Sequence, residues 1–191
     1  MSDKNKLDLE INELVNTLNK LSSFSEEIEK VISIISECIK SGKKIMICGN
    51  GGSAAEANHL AAEFLVRLKP DNNRPAIPII SLSQNSSVLT ACGNDLGFEN
   101  IFSRTLEGLG NSGDVLISLS TSGNSENVLN AIKAAKNKKI KTVSFLGKKG
   151  GMAKSFSDIN ILIPSENVAK IQECHLFLGH YIFGEVEKKL F

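Results

Sequence analysis

Apolar residues recur at steps of three and four along the first forty positions. Leu7, Ile11, Leu14, Val15, Leu18 and Leu21 make one stripe, and Ile28, Val31, Ile32, Ile35, Cys38 and Ile39 make a second. This is the spacing of one buried helix face. Between them, Ser23-Phe24-Ser25-Glu26 reads as a capping box that opens the second helix, and Ser41-Gly42 reads as its stop. A helical hairpin is therefore expected over residues 1–42.

From Lys43 onward the pattern changes to short β-rich runs, each followed by a glycine- or serine-rich turn and then a helical stretch. Strands are predicted at 45–48, 76–82, 115–119, 141–145 and 159–163. Helices are predicted at 53–68, at 86–92 continuing irregularly through 101–109, at 125–137 and at 168–190, while 70–75 reads as an exposed loop. Strands that are apolar throughout belong to parallel sheets covered on both faces. The expected fold is α/β: a three-layer sandwich with a five-stranded, mainly parallel sheet, preceded by the hairpin.

At 191 residues the chain suits one domain over 1–191, with 1–42 as an extension. Its 41% apolar content can fill a core, which excludes disorder as the main state. Twenty-two basic against 21 acidic side chains leave +1, no strong field for nucleic acid or an anionic membrane. Any phosphate must be held locally. No apolar run is long enough to span a bilayer, and Met1-Ser2-Asp3-Lys4-Asn5-Lys6 lacks the apolar segment of a signal peptide, so a cytoplasmic location is expected. Cys38, Cys48, Cys92 and Cys174 are scattered with no CxxC, as reduced, buried thiols are.

Two turns carry candidate chemistry, because ligands of open α/β sheets bind beyond the carboxyl ends of strands, where helix N-termini offer free amides. Gly49-Asn50-Gly51-Gly52-Ser53 follows the first strand and matches neither a P-loop nor the GxGxxG fingerprint. Alone it could be a tight connection. Ser120-Thr121-Ser122-Gly123-Asn124-Ser125 follows the third strand. An N-cap role for Ser125 explains one of its four hydroxyls; a phosphate monoester held by hydroxyls and amides explains them all.

Together with His59 and Glu63, Gly93-Asn94-Asp95, Ile171-Gln172-Glu173 and His180, these turns resemble the sugar isomerase (SIS) domain family, and within it the phosphoheptose isomerases. The resemblance covers residues 49–180, and the hairpin fits it too. It implies a flavodoxin-like SIS fold and conversion of sedoheptulose 7-phosphate to glycero-manno-heptose 7-phosphate through an enediol, the first step toward the heptose of bacterial lipopolysaccharide or capsule. It further implies Glu63 as the base at C1 and His180 as its acid/base partner. Asn50, Gly51, Gly52, Ser53, Glu63, Asn94, Asp95, Ser120, Thr121, Ser122, Ser125 and Gln172 would contact substrate. His59, Glu63, Gln172 and His180 resemble the zinc site of some members, and two imidazoles, a carboxylate and an amide oxygen suit that ion. A non-catalytic SIS protein, either a phosphosugar binder or a relative of the replication-initiator-associating protein, is the alternative. It would need the phosphate turn but not the catalytic set.

The residue types suit the chemistry. Moving a proton between C1 and C2 needs a base at carbon and a group to manage charge on the oxygens. His59 and Glu63 are one helical turn apart on one face, expected to face the phosphate cleft, with Arg67 a further turn along. His175 and His180 point roughly 140° apart on a regular helix, which assigns His180 to the site and His175 to packing or the rim. Gln172 and His180 are separated by about 12 Å of helix rise, so a compact centre receives both only at full stretch. A neighbouring chain supplying one relieves this. The hairpin stripes also exceed what the sandwich needs to cover its sheet. With the resemblance, these features predict a homotetramer with shared sites.

Overall fold

A computed structural model describes residues 3–191; Met1 and Ser2 of the expected 1–42 segment lie outside the described residues. Helix α1 (Asp3–Asn19) passes through a 3-10 turn (Lys20–Phe24) into α2 (Ser25–Lys40). No capping box forms. Phe24 occupies the N-cap, while the Ser22 and Ser23 hydroxyls donate backward to the carbonyls of Asn19 (2.9 Å) and Lys20 (2.8 Å), completing the 3-10 turn instead. The stop forms as read: Gly42 adopts φ 68°, its N–H bonds to Ile39 and that of Lys43 to Cys38, which is a Schellman ending that L residues resist.

The remaining chain alternates β1 (Ile45–Gly49), α3 (Gly52–Leu65), β2 (Ile79–Ser81), α4 (Ser86–Asp95), α5 (Ile101–Leu109), β3 (Val115–Ser120), α6 (Glu126–Asn137), β4 (Lys141–Gly147), α7 (Ala153–Phe156), β5 (Ile159–Ile163) and α8 (Val168–Leu190). Sheet order is β2-β1-β3-β4-β5. All pairs are parallel, with Ile47 beside Ile117 and Ile117 beside Val143. Edge strand β2 is shorter than the predicted 76–82 because Pro75 and Pro78 bring no N–H to a ladder.

Two cores flank the sheet. Ile45, Ile47, Ile117 and Phe145 face α2, α3 and α8, while Met46, Cys48, Leu116 and Leu146 face α4, α5 and α6. The fully buried strands β1 and β3 are the doubly covered kind the apolar runs predicted. The chain order reverses direction between β1 and β3, and this switch point is where open α/β sheets bind ligands. The four cysteines are buried and free, with burial pushing the Cys48 thiol up to about 12. No helix among the described residues is long and apolar enough to cross a membrane.

Candidate active site

Both expected turns lie at the switch point. In the first, Gly51 takes φ 55°, and a Cβ on Gly49 would stand 2.7 Å from Ser53, so small residues let the chain fold sharply into α3. Ser53 is buried. A Cβ on Gly52 would sit 2.5 Å from the Gln172 amide, so the missing side chain admits Gln172 across the first turn of α3.

The second turn is organised by its own hydroxyls. Ser120 Oγ accepts from the Gly123 amide (3.0 Å), Ser122 Oγ from the Asn124 amide (3.1 Å), and Asn124 Oδ1 from the Met152 amide (2.9 Å). Ser125 is the N-cap of α6 and makes no side-chain cap bond, leaving its hydroxyl for a ligand beside the first helix amides, which lack intrahelical acceptors. Thr121, Ser122 and Asn124 line a cleft of about 360 Å³ with Lys148 and Lys149. The two turns are tied together by a reciprocal amide pair, Asn50 to Asn127 (2.8 Å) and Asn127 to Asn50 (2.9 Å). Asn127 carries no motif of its own. Its role follows only from β1 and β3 being neighbours in space.

The acid/base candidates gather elsewhere on the chain. His59 and His180 approach to 2.8 Å between Nε2 atoms, and His59 Nε2 lies 3.5 Å from Glu63 Oε1. One donor atom from each of His59, Glu63 and His180 falls within 4.8 Å of the others. The His59 side chain is 45% exposed, leaving the cluster open to solvent on one side. Burial and the neighbouring His59 hold His180 below the ordinary histidine range, against the pull of Glu63. Two imidazoles and a carboxylate with an open position form a donor set that can hold a divalent cation.

Helices α3 and α8 run side by side in the same direction, which brings this about. Gly52 meets Gln172, Leu60 meets Gly179, and Phe64 stacks on Phe183 at 3.6 Å between ring centroids. Gln172 therefore sits about 10 Å of helix rise before the level of His59. Among the described residues it makes no hydrogen bond to the three clustered side chains. Asn94 and Asp95 bond each other at 2.7 Å at the exposed end of α4, and among the described residues no hydrogen bond joins them to the other candidates. The expectation that His59 and Glu63 face the phosphate cleft of their own chain is not met. From Gly52 to Glu63, α3 descends about 16 Å away from the strand ends. Arg67 lies beyond α3, which ends at Leu65, so the regular one-turn spacing from Glu63 does not extend to it.

His175 is fully buried, and desolvation depresses it to about 4. Its Nδ1 lies 4.0 Å from Glu56 Oε2, whose carboxyl burial pushes up to about 7; these facing atoms lack hydrogen-bond partners. Glu56 was not singled out from the sequence, although it lies one turn from both Ser53 and His59.

A family model for the SIS domain matches residues 11–147. The chain is 44% identical to a phosphoheptose isomerase of Clostridium acetobutylicum, covering 98% of this chain and 96% of that one. A phosphoheptose isomerase of Akkermansia muciniphila is 43% identical, with 93% of both covered. Among solved structures, phosphoheptose isomerases from Neisseria gonorrhoeae and Francisella tularensis superpose with TM-scores of 0.90 and 0.92, at 31% and 29% identity over 98% of this chain and all of theirs. Family model, whole-length relatives and superposable structures agree: the chain belongs to the SIS domain family and, within it, to the phosphoheptose isomerases.

Proposed function

We propose that the protein converts D-sedoheptulose 7-phosphate to D-glycero-D-manno-heptose 7-phosphate. The observation that carries this is the convergence of His59, Glu63 and His180 in a chain that also presents a hydroxyl-rich helix N-terminus at its switch point. A mere phosphosugar binder needs only the second feature. Glu63 removes the C1 proton and returns it at C2, and His180, kept neutral by its surroundings, exchanges protons with the substrate oxygens. Ser53, Ser120, Ser122 and Ser125 hold the phosphate, Asn50, Gly51, Gly52 and Thr121 shape its cradle, and Asn94, Asp95 and Gln172 meet sugar hydroxyls. Incubating the purified protein with sedoheptulose 7-phosphate and following the aldose anomeric proton by NMR tests the reading directly; no aldose at any enzyme concentration would overturn it.

The cation set fits zinc, with His59, Glu63 and His180 as its ligands, and Gln172 as a fourth when brought near. Bound there, zinc would polarise the carbonyl and hydroxyl oxygens across which the proton moves.

The active unit in this reading is a homotetramer with sites shared between chains. Within one chain the phosphate turn and the acid/base cluster stand at different levels of α3. Exposed apolar side chains remain on α8 and α1: Phe177 and Tyr181, which line a hollow with His180, are 49% and 45% exposed, and Leu7, Ile11 and Val15 are 62%, 50% and 46% exposed. A second copy covering this face would bury the stripes and bring its own phosphate turn to the cluster. Reaction in the cytoplasm, feeding bacterial lipopolysaccharide or capsule, completes the proposal.

A further inference from the structure

The segment 70–75, read from sequence as an exposed loop, contains a buried cation. Arg74 has a side chain only 1% exposed, and all three of its guanidinium nitrogens are engaged. Nε donates to Glu187 Oε1 at 2.7 Å, and Nη2 reaches the same oxygen at 2.6 Å. Nη2 donates to the Glu63 carbonyl (2.8 Å), and Nη1 serves the carbonyls of Phe64 (2.8 Å) and Pro75 (3.0 Å). Asn72 donates to the other Glu187 oxygen at 3.0 Å. A fixed planar fork matches this set of acceptors, and a lysine would not.

The partners identify what the fork does. Glu63 and Phe64 belong to the last turn of α3, where carbonyls have no intrahelical donor and the helix is prone to fray. Glu187 belongs to α8, two turns beyond His180. One guanidinium thus fastens the backbone of the candidate base to the helix carrying its partner histidine, with the Phe64–Phe183 stack between the fastening and the imidazole pair. We propose that Arg74 is a positioning residue for the isomerase centre, setting the separation of α3 and α8 at which His59, Glu63 and His180 converge. This inference rests on the acid/base reading above for its kinetic consequence, but not for its geometric one.

Removing Arg74 alone would strand a buried carboxylate, so the test replaces the pair: Arg74→Met with Glu187→Leu, two apolar side chains of the kind that often substitute for a buried ion pair without loss of fold. In the folded variant kcat on sedoheptulose 7-phosphate falls about 100-fold, the order expected of an ångström-scale misplacement, while KM, governed by the distant phosphate turn, changes less than about twofold. Arg74→Lys keeps the charge with three donors in place of five and lowers kcat in the same direction, so it serves if the paired variant does not fold. Lys44→Met is the control. It breaks the ion pair to buried Asp114 (2.6 Å), which ties the start of β1 to the residue before β3 rather than α3 to α8, lowering the melting temperature and leaving kcat unchanged. A crystal structure of the paired variant, or of Arg74→Lys in its place, gives the readout that does not depend on activity: His59 and His180 Nε2 move beyond hydrogen-bond distance. Wild-type kcat in the variant, an equal loss in the Lys44 control, or an imidazole pair still at its original separation overturns the inference. If the wild-type protein does not isomerise the heptulose phosphate, the proposed function fails and the crystallographic distance alone decides the role of Arg74.

Discussion

His59 and His180 lie 121 residues apart in the chain, yet their Nε2 atoms stand 2.8 Å from each other. Two imidazoles at this distance cannot both be protonated there without repulsion, so one nitrogen donates and the other accepts. With Glu63 Oε1 3.5 Å from His59 Nε2, polar atoms from three residues converge on one point at the α3–α8 seam. That convergence sets the first expectations.

Glu63→Gln keeps the size and polarity of the side chain but cannot take a proton from carbon. Turnover is expected to fall by about 10² to 10⁴, the usual contribution of a general base, with solvent deuterium wash-in at the substrate carbon falling in parallel. NMR detection of both on the folded variant checks this; wild-type wash-in would place the base elsewhere.

His59→Ala removes one of the clustered donors. In the proposed reading the wild type is expected to take up about one zinc per chain and the variant far less, since each ligand lost from such a site costs a large share of affinity. Metal analysis of both proteins by mass spectrometry provides the check, and undiminished zinc in His59→Ala would move the ion to other ligands.

The turn from Ser120 to Ser125, proposed to hold the phosphate, contains two kinds of serine. Ser120 Oγ is tied to the Gly123 amide and is buried, whereas Ser122 is exposed and accepts from Asn124. Ser122→Ala should weaken sugar-phosphate binding by roughly 1 to 3 kcal/mol, the range for a hydrogen bond to a charged group, and leave binding of the unphosphorylated sugar nearly unchanged. Equal losses for both ligands, measured by calorimetry, would mean that the turn does not hold the phosphate.

The sheet was legible because β1 and β3 are apolar on both faces, and the two turns because their glycines and hydroxyls exceed what a connection requires. The α3–α8 pairing was not legible. Nothing local reports that Gly52 meets Gln172 or that Leu60 meets Gly179, and those contacts decide that His180 reaches His59 within one chain. Arg74 was misread for a related reason. Its neighbours Asp71, Asn72, Asn73 and Pro75 have loop chemistry, and its acceptors, two helix-end carbonyls and Glu187, become visible only when α8 packs against α3. The capping box failed because Ser22 and Ser23 could satisfy carbonyls behind them as readily as amides ahead.

Glu56 and His175 give the chain a pH signature distinct from catalysis. The Glu56 carboxyl, 11% exposed and facing His175 at 4.0 Å, is pushed up to about 7 from 4.5. Its folded value lies above its unfolded one, so its contribution to stability is fully present below the unfolded value and is lost as pH rises through 7. His175, lowered to about 4 from 6.5, acts in the opposite sense: stability present above 6.5 is lost as pH falls toward 4. Glu56→Gln mimics the protonated acid. Relative to wild type its unfolding free energy should rise between pH 5 and pH 8 by up to about 3 kcal/mol, the linkage equivalent of that shift. Urea unfolding at several pH values checks it, and parallel curves would mean that the carboxyl is not held neutral.

Glu63 and His180 meet within one chain, so mixing Glu63→Gln with His180→Ala subunits leaves every site defective, whatever the assembly. Gln172 is different. It lies over Gly52, at the level of the phosphate turn and about two helical turns from the cluster. If that turn serves the cluster of a neighbouring subunit, Gln172 travels with it, and Glu63→Gln mixed with Gln172→Ala should regain activity after dissociation and reassembly. Random mixing in a symmetric oligomer gives about one site in four with both residues intact, so roughly a quarter of wild-type turnover should return, while each inactive protein reassembled alone stays dead. Light scattering on the same samples gives the number of subunits. A reassembled, fully oligomeric mixture that remains inactive would mean that Gln172 serves the cluster of its own chain, with the amide swinging down α8 to reach it.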